Sequence, residues 1–279
     1  MKEKLSFSGH DKFHCRQFWL KKGVDHIKDN KSFNNEAVTD LGVGRNMVTS
    51  IRYWIHVFGL MENNAPSELA TRLLYDDGYD PYLEDLGSIW LLHYSLVTHK
   101  RASLYWYTFN EFLRSKIEFN KELLALFFKD LCSNQGTLNN DITVFINNYL
   151  LPEKRKGVEA DFAGLLYELN LITRIERSGG WFKIENTERP SLSPQIILFC
   201  ILKDLEEDVR TFSFRDLLQN DNSVGRVFCL SENGLNEKLQ ELVLLYPENI
   251  VFSKNAGVKV LQIKGEINCW DILKDYYGN

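Results

Sequence analysis

The densest cluster of reactive side chains in the 279-residue sequence is Gly9-His-Asp-Lys-Phe-His-Cys-Arg16. Two imidazoles, a carboxylate, an amine, a thiol and a guanidinium so close together suit phosphoryl transfer. His10 or His14 has the chemistry of a general acid or base, Asp11 that of a magnesium ligand, and Arg16 that of a group stabilising charge on a phosphate. The pattern completes no known signature. His10-x-Lys12 opens the phospholipase-D type of motif, but Gln17 stands where its aspartate belongs. A second reading gives the segment no chemistry: His10 and Arg16 anchor a loop by hydrogen bonds beneath the neighbouring helices.

A second candidate is the acidic stretch holding Asp76, Asp77, Asp80, Glu84 and Asp85. Asp80, Glu84 and Asp85 are the carboxylates expected to hold Mg2+ or Mn2+, as nuclease carboxylates do. The alternative is a solvated loop whose acids cap the following helix. No aspartate pairs with a downstream Glu-x-Lys. No Gly-x4-Gly-Lys-Ser/Thr loop occurs, so no nucleotide is expected. His93, alone in the apolar run 88–97, reads as a satisfied core histidine.

These groups need elements to position them. Residues 17–28 read as a helix with Trp19, Leu20, Val24 and Ile27 on one side. Residues 34–42 read as a short helix with an Asn cap and a terminal glycine, and Val43-Gly44 makes a turn. A helix over 45–58, closed by Gly59, follows. At 100° per residue Met47, Val48, Ile51, Trp54, Ile55 and Phe58 share one sector. Arg45, Asn46, Thr49, Ser50, Arg52, Tyr53 and His56 share the other, which carries no carboxylate to repel DNA. Short helix, Leu-Gly-Val-Gly turn and amphipathic helix is the order of a helix-turn-helix. Residues 69–75 are expected as its wing strand. Arg45, Asn46, Thr49, Arg52, Tyr53 and His56 are the expected DNA-binding residues; the alternative is an αα-hairpin with a solvated polar face.

Further along, helices are expected at 88–97, 104–115, 121–132, 141–150, 159–169, 194–205, 214–218 and 235–245. Hairpins are expected from 172–176 with 181–185 and from 250–253 with 258–263. The fold class is mainly α with small β-hairpins (α+β). The expected domains are a winged helix-turn-helix at 1–82, a helical core at 83–151 and a C-terminal winged-helix-like region at 152–279, with Pro152-Glu-Lys-Arg-Lys-Gly157 as the last boundary.

The net charge of −5 divides unevenly: residues 1–60 carry ten Lys/Arg against six Asp/Glu, and the remainder is acidic. That asymmetry suits one basic face on an acidic body. No signal peptide or membrane-spanning run is legible, and the five scattered cysteines fit free thiols in a reducing compartment, so a cytoplasmic location is expected.

The segments quoted above also carry a resemblance. Phe7-Ser-Gly-His-Asp-Lys-Phe-His-Cys-Arg16 with Trp19-Leu-Lys-Lys-Gly23, Leu41-Gly-Val-Gly-Arg-Asn-Met-Val48 with Ile51-Arg-Tyr-Trp54, Asp80-Pro-Tyr-Leu-Glu-Asp85, Trp90-Leu-Leu-His93 and Phe109-Asn110 resemble a bacterial family known only as a domain of unknown function. The resemblance is specific over residues 5–110. The family includes the subunit described as the DNA nickase of single-strand phosphorothioation defence systems. It implies a role in placing sulfur in the DNA backbone beside a cysteine desulfurase, an ATPase and an ATP-pyrophosphatase. A homodimer is compatible with this, and no membrane partner is expected. The competing reading is a non-catalytic winged-helix adaptor or transcriptional regulator. No catalytic set comes with the resemblance, so the assignment of His10, Asp11, His14 and Arg16 rests on their chemistry.

Overall fold

The computed structural model describes residues 5–151, 163–203, 210–255 and 257–278, apart from the side chain of Asn255. The expected boundary at 152–157 and the first part of the helix expected over 159–169 lie outside these residues, as do 204–205 of the helix expected over 194–205. The chain forms two packed units, Met1–Ile184 and Glu185–Asn279. The boundaries expected near 82 and 151 both fall inside the first.

The first unit opens with α1 (Gln17–Lys28), α2 (Ala37–Leu41) and α3 (Arg45–Val57). Asn34, three residues before the helix begins, makes an Asx turn rather than an N-cap, its Oδ1 accepting from the Glu36 amide at 2.9 Å. Helix α3 buries Val48, Ile51, Trp54 and Ile55, and Phe58 follows as its C-cap. Met47 is half-buried and Ser50 lies inside rather than on the polar face, because its hydroxyl donates to the His10 carbonyl at 2.8 Å. Gly59 then takes φ +71°, where a side chain would be strained and its Cβ would come within 2.7 Å of Ser95 Oγ.

The expected wing strand at 69–75 is instead helical. Directly after α3 come two very short strands, β1 (Met61–Glu62) and β2 (Ala65–Pro66), paired antiparallel with Glu62 opposite Ala65. Their turn residues Asn63 and Asn64 both have positive φ, as a two-residue hairpin turn requires and asparagine tolerates. Ser67 then caps α4 (Glu68–Leu74), accepting from the Ala70 amide. A run of Leu-Ala-Thr-Arg-Leu-Leu with an N-cap serine favours a helix, and its i, i+4 Glu68–Arg72 pair fits that period.

Helix α5 (Leu86–Thr98) is capped by Asp85 and buried from Gly87 to Val97. It packs with α6 (Ser103–Asn110), and α7 (Lys121–Phe127) and α8 (Gln135–Tyr149) complete this helical layer. Its centre is aromatic: Phe109, Phe145 and Tyr149 pack edge to face or tilted around His93, whose Nδ1 lies 3.0 Å from the Tyr149 hydroxyl. Strands β3 (Glu118–Phe119), β4 (Thr173–Ile175) and β5 (Trp181–Lys183) form a small antiparallel sheet in the order β3-β5-β4.

The second unit begins with the buried α9 (Pro194–Lys203) and continues through β6 (Thr211–Ser213), α10 (Phe214–Gln219), α11 (Val224–Val227) and α12 (Glu232–Leu245). It closes with β7 (Ile250–Asn255), β8 (Val258–Ile263) and α13 (Cys269–Tyr277), the three strands forming an antiparallel sheet in the order β6-β8-β7. Phe199 of α9 packs on Trp270 of α13 with ring centroids 5.2 Å apart. No described helix is long and apolar enough to cross a membrane.

Trp54 is fully buried and touches Phe58, Tyr105 and the His10 ring, so its truncation would open a cavity shared by three elements. Trp54→Ala is expected to cost about 3–5 kcal/mol in denaturant unfolding. An unchanged midpoint would mean that this face of α3 is not a core face.

Candidate nucleic-acid interface

The segment 8–15 is folded as a hook rather than an open loop. Ser8, Gly9, Asp11 and Lys12 all have positive φ, and the His10 carbonyl accepts from the Phe13 amide at 2.8 Å. The His10 ring is buried and nearly parallel to Trp54, their planes 16° apart. Its Nε2 is 3.0 Å from Asp141 Oδ1 on α8, and its Nδ1 accepts from the Lys12 amide at 3.2 Å. Because Nδ1 accepts a backbone N–H, the proton sits on Nε2 and is donated to Asp141. Asp141 Oδ2 accepts from the Ser8 amide at 2.8 Å, so both oxygens of this buried carboxylate hold the hook. Farther along, Asn148 of α8 accepts from the Cys15 amide through Oδ1 and donates through Nδ2 to Tyr105. Burial of the Cys15 thiol raises its pKa well above the usual value, which leaves it an inert thiol.

The remaining candidates in this segment lie around that anchor. Asp11 is exposed, His14 is half-buried, and the Arg16 guanidinium lies 5.0 Å from the Trp19 ring centroid. The structure therefore brings His10 together with Asp141, a residue that nothing in the local sequence singled out. A carboxylate 131 positions away leaves no local signal.

The acidic stretch is likewise used internally. Asp80 is buried, its two oxygens accepting from the Glu84 and Asp85 amides at 2.9 and 3.0 Å. Asp85 Oδ1 accepts from the Gly87 amide at 2.7 Å, and Glu84 is exposed. Asp76 pairs with Lys21 at 2.7 Å, which holds its carboxyl below the ordinary range. Among the described residues no group of three or more His, Cys, Asp or Glu is arranged to hold a metal ion. Of the three carboxylates expected to hold Mg2+ or Mn2+, Asp80 and Asp85 thus accept from backbone amides, and Glu84 stays exposed.

The polar face of α3 opens onto a groove of about 680 Å³. Thr49, Arg52, Tyr53 and His56 form one wall, Glu62, Asn63 and Asn64 of the hairpin another, and Gly9 and Arg101 close it. Gly9 is required there. Its φ is +111°, and a Cβ would lie 2.4 Å from the Tyr53 ring. Tyr53 is half-buried; burial of its hydroxyl, with the Asp141 carboxylate adding to it, raises its pKa above the usual phenol value. Its ring serves as wall. Arg101 joins the group by donating from Nη1 to the His56 carbonyl at 2.9 Å. Desolvation, followed by repulsion from Arg101, Arg52 and His99, lowers the His56 pKa below the ordinary value. Arg45 and Asn46 are exposed on the first turn of α3, outside the groove lining. Arg52 also borders a second depression, of about 390 Å³, on the side of Lys31 and Asn34.

The fold and this groove define the class: a mixed α+β protein, helix-rich with small antiparallel sheets, that presents a basic groove along one amphipathic helix. The chain belongs to the family described as "Protein of unknown function (DUF4007)", whose model matches residues 7–277. It is similar to a structure described as "Magnesium ion-bound SspB crystal structure", with a TM-score of 0.86 and 25% identity over 98% of this chain and 88% of that one. A second structure, described as "SspB crystal structure", gives a TM-score of 0.86 at 24% identity with the same coverage. No curated protein matches the sequence.

Removing the Asp141 side chain would leave the His10 Nε2–H and the Ser8 amide without their acceptor. Asp141→Ala is expected to cost about 1.5–3 kcal/mol in urea unfolding for each of the two hydrogen bonds lost, because each is made to a charged group. Combined with His10→Ala, the effects should fall short of additive. Full additivity would mean that the two residues do not act as one anchor.

Proposed function

We propose that this chain is a DNA-binding subunit of a bacterial phosphorothioation system, that α2 and α3 act as its helix-turn-helix with the β1–β2 hairpin as a short wing, and that it nicks DNA for sulfur incorporation. The observation that carries the binding part is the groove: the polar face of α3, the hairpin and Arg101 converge on one concave surface with two guanidiniums and an imidazole. Arg45, Asn46 and Thr49 are then the groups for base edges in the major groove, where arginine and asparagine have two-point hydrogen-bonding partners. The system-level part rests on the sequence resemblance and on the likeness to the SspB structures.

The test is direct. Arg45→Ala/Arg52→Ala is expected to weaken duplex binding and to reduce the salt slope by about one for each phosphate contact removed. Binding like the unmodified chain across a salt titration would overturn the assignment of α3. Supercoiled plasmid incubated with the protein and magnesium, manganese or chelator then tests for nicking.

In this reading the hook residues supply the acid–base chemistry, and Asp11 is the exposed carboxylate among them. Asp11→Asn is expected to lower the nicking rate about 10²–10⁴-fold without moving the melting temperature. A nicking rate equal to the unmodified chain would exclude Asp11. The second reading, a non-catalytic adaptor or regulator, is favoured by one specific observation: both ring nitrogens of the buried His10 are already engaged. Under it, plasmid stays supercoiled in every metal condition while duplex binding persists.

A further inference from the structure

We propose that Arg52, His56 and Arg101 form a cradle for one backbone phosphate of duplex DNA, and that His56 takes up a proton as the phosphate enters. The proposal rests on the DNA-binding reading of the groove and assigns Arg101, outside the helix-turn-helix, as a binding residue.

The geometry comes from three segments. Arg52 and His56 are one turn apart on α3, so their side chains leave the same face. Arg101 comes from the connection between α5 and α6, and its hydrogen bond to the His56 carbonyl fixes its guanidinium at the end of that row. A planar guanidinium held by one N–H keeps others for an anion, which suits a phosphate oxygen. All three line the same groove with Thr49, whose hydroxyl suits the same ligand.

Charge makes the cradle respond to its ligand. Desolvation first, and then Arg101, Arg52 on the same helix and His99, each oppose a proton on His56, so the empty groove favours the neutral imidazole. Glu62 on β1 is the carboxylate in the lining, and it is exposed at the rim. Lys100, next to Arg101, holds its ammonium 4.3 Å from the Trp106 ring centroid. A phosphate entering between the two arginines cancels the repulsion on His56 and adds an attraction, so the proton is bound more tightly in the complex. The sign follows by linkage: a site that gains a proton with its ligand binds that ligand better as pH falls through the interval between the free and bound imidazole values. Each unit by which the phosphate raises the imidazole corresponds to about a tenfold gain in affinity below that interval.

The experiment measures anisotropy of a short fluorescein-labelled duplex of mixed sequence with the full chain, over about 50–200 mM salt and about pH 8 to 6. Arg101→Ala should reduce the slope of log affinity against log salt by about one, and Arg101→Lys should restore it. His56→Gln should flatten the pH dependence while leaving the high-pH slope unchanged. Glu62→Gln should tighten binding, since it removes the opposing charge. Thermal melting of each variant, expected to match the unmodified chain, separates these effects from unfolding. An unmodified chain that does not bind the duplex overturns the function reading and the cradle with it. Normal duplex binding with an unchanged slope in Arg101→Ala, or an undiminished pH dependence in His56→Gln, leaves the function reading standing and overturns the cradle.

Discussion

The buried hydrogen bond between His10 and Asp141 is the constraint around which the first unit is arranged. A carboxylate taken out of water must find donors for both oxygens or be left with a large desolvation penalty. Asp141 finds both in the N-terminal hook, from the His10 ring and the Ser8 amide. The hook can supply them only by folding back through several residues at positive φ, so the backbone strain there is held by the anchor. The same imidazole stacks on Trp54, and the His10 carbonyl takes the Ser50 hydroxyl. One buried pair thus ties α3 to α8 and sets where Gly9 meets Tyr53 at the groove.

Electrostatics separates this anchor from the groove beside it. Asp141 carries its charge behind the Tyr53 and Tyr105 rings, and both hydroxyls respond with raised pKa values, chiefly through burial. On the open side Arg52, Arg101 and His56 line one groove, and desolvation, followed by repulsion from Arg101, Arg52 and His99, lowers the His56 value. A surface that gathers two guanidiniums around an imidazole is at its most favourable when an anion is present. The overall charge of −5 does not conflict with this. Asp80 and Asp85 accept from backbone amides and Asp76 pairs with Lys21, while the arginines of the groove come from one helix and one turn.

The sequence by itself determined the elements whose signals are local. Residues 17–28 form the expected helix because an apolar stripe at helical spacing is enough to specify both period and buried face. The same logic found α3 and its core face, the Gly59 terminus and α5, buried from Gly87 to Val97. It failed where two local preferences compete. Residues 69–75 suit either a strand or a helix by composition, and the Ser67 cap with the Glu68–Arg72 pair decides for the helix. Ser50 belongs to the polar arc of α3 by angle, yet a carbonyl brought from the hook gives its hydroxyl a buried partner.

What only the tertiary structure decided is which reactive groups meet. His10, Asp11, His14 and Arg16 are neighbours in sequence, but chain reversal at the hook sends the His10 ring inward and leaves Asp11 exposed. The partner of His10 lies on α8, and the partner of the α3 polar face is Arg101 from the α5–α6 connection. Neither pairing has a spacing that could be read along the chain. A hydrogen bond between residues 131 positions apart is set by the packing of helices whose faces the sequence specifies but whose relative placement it leaves to the assembled core.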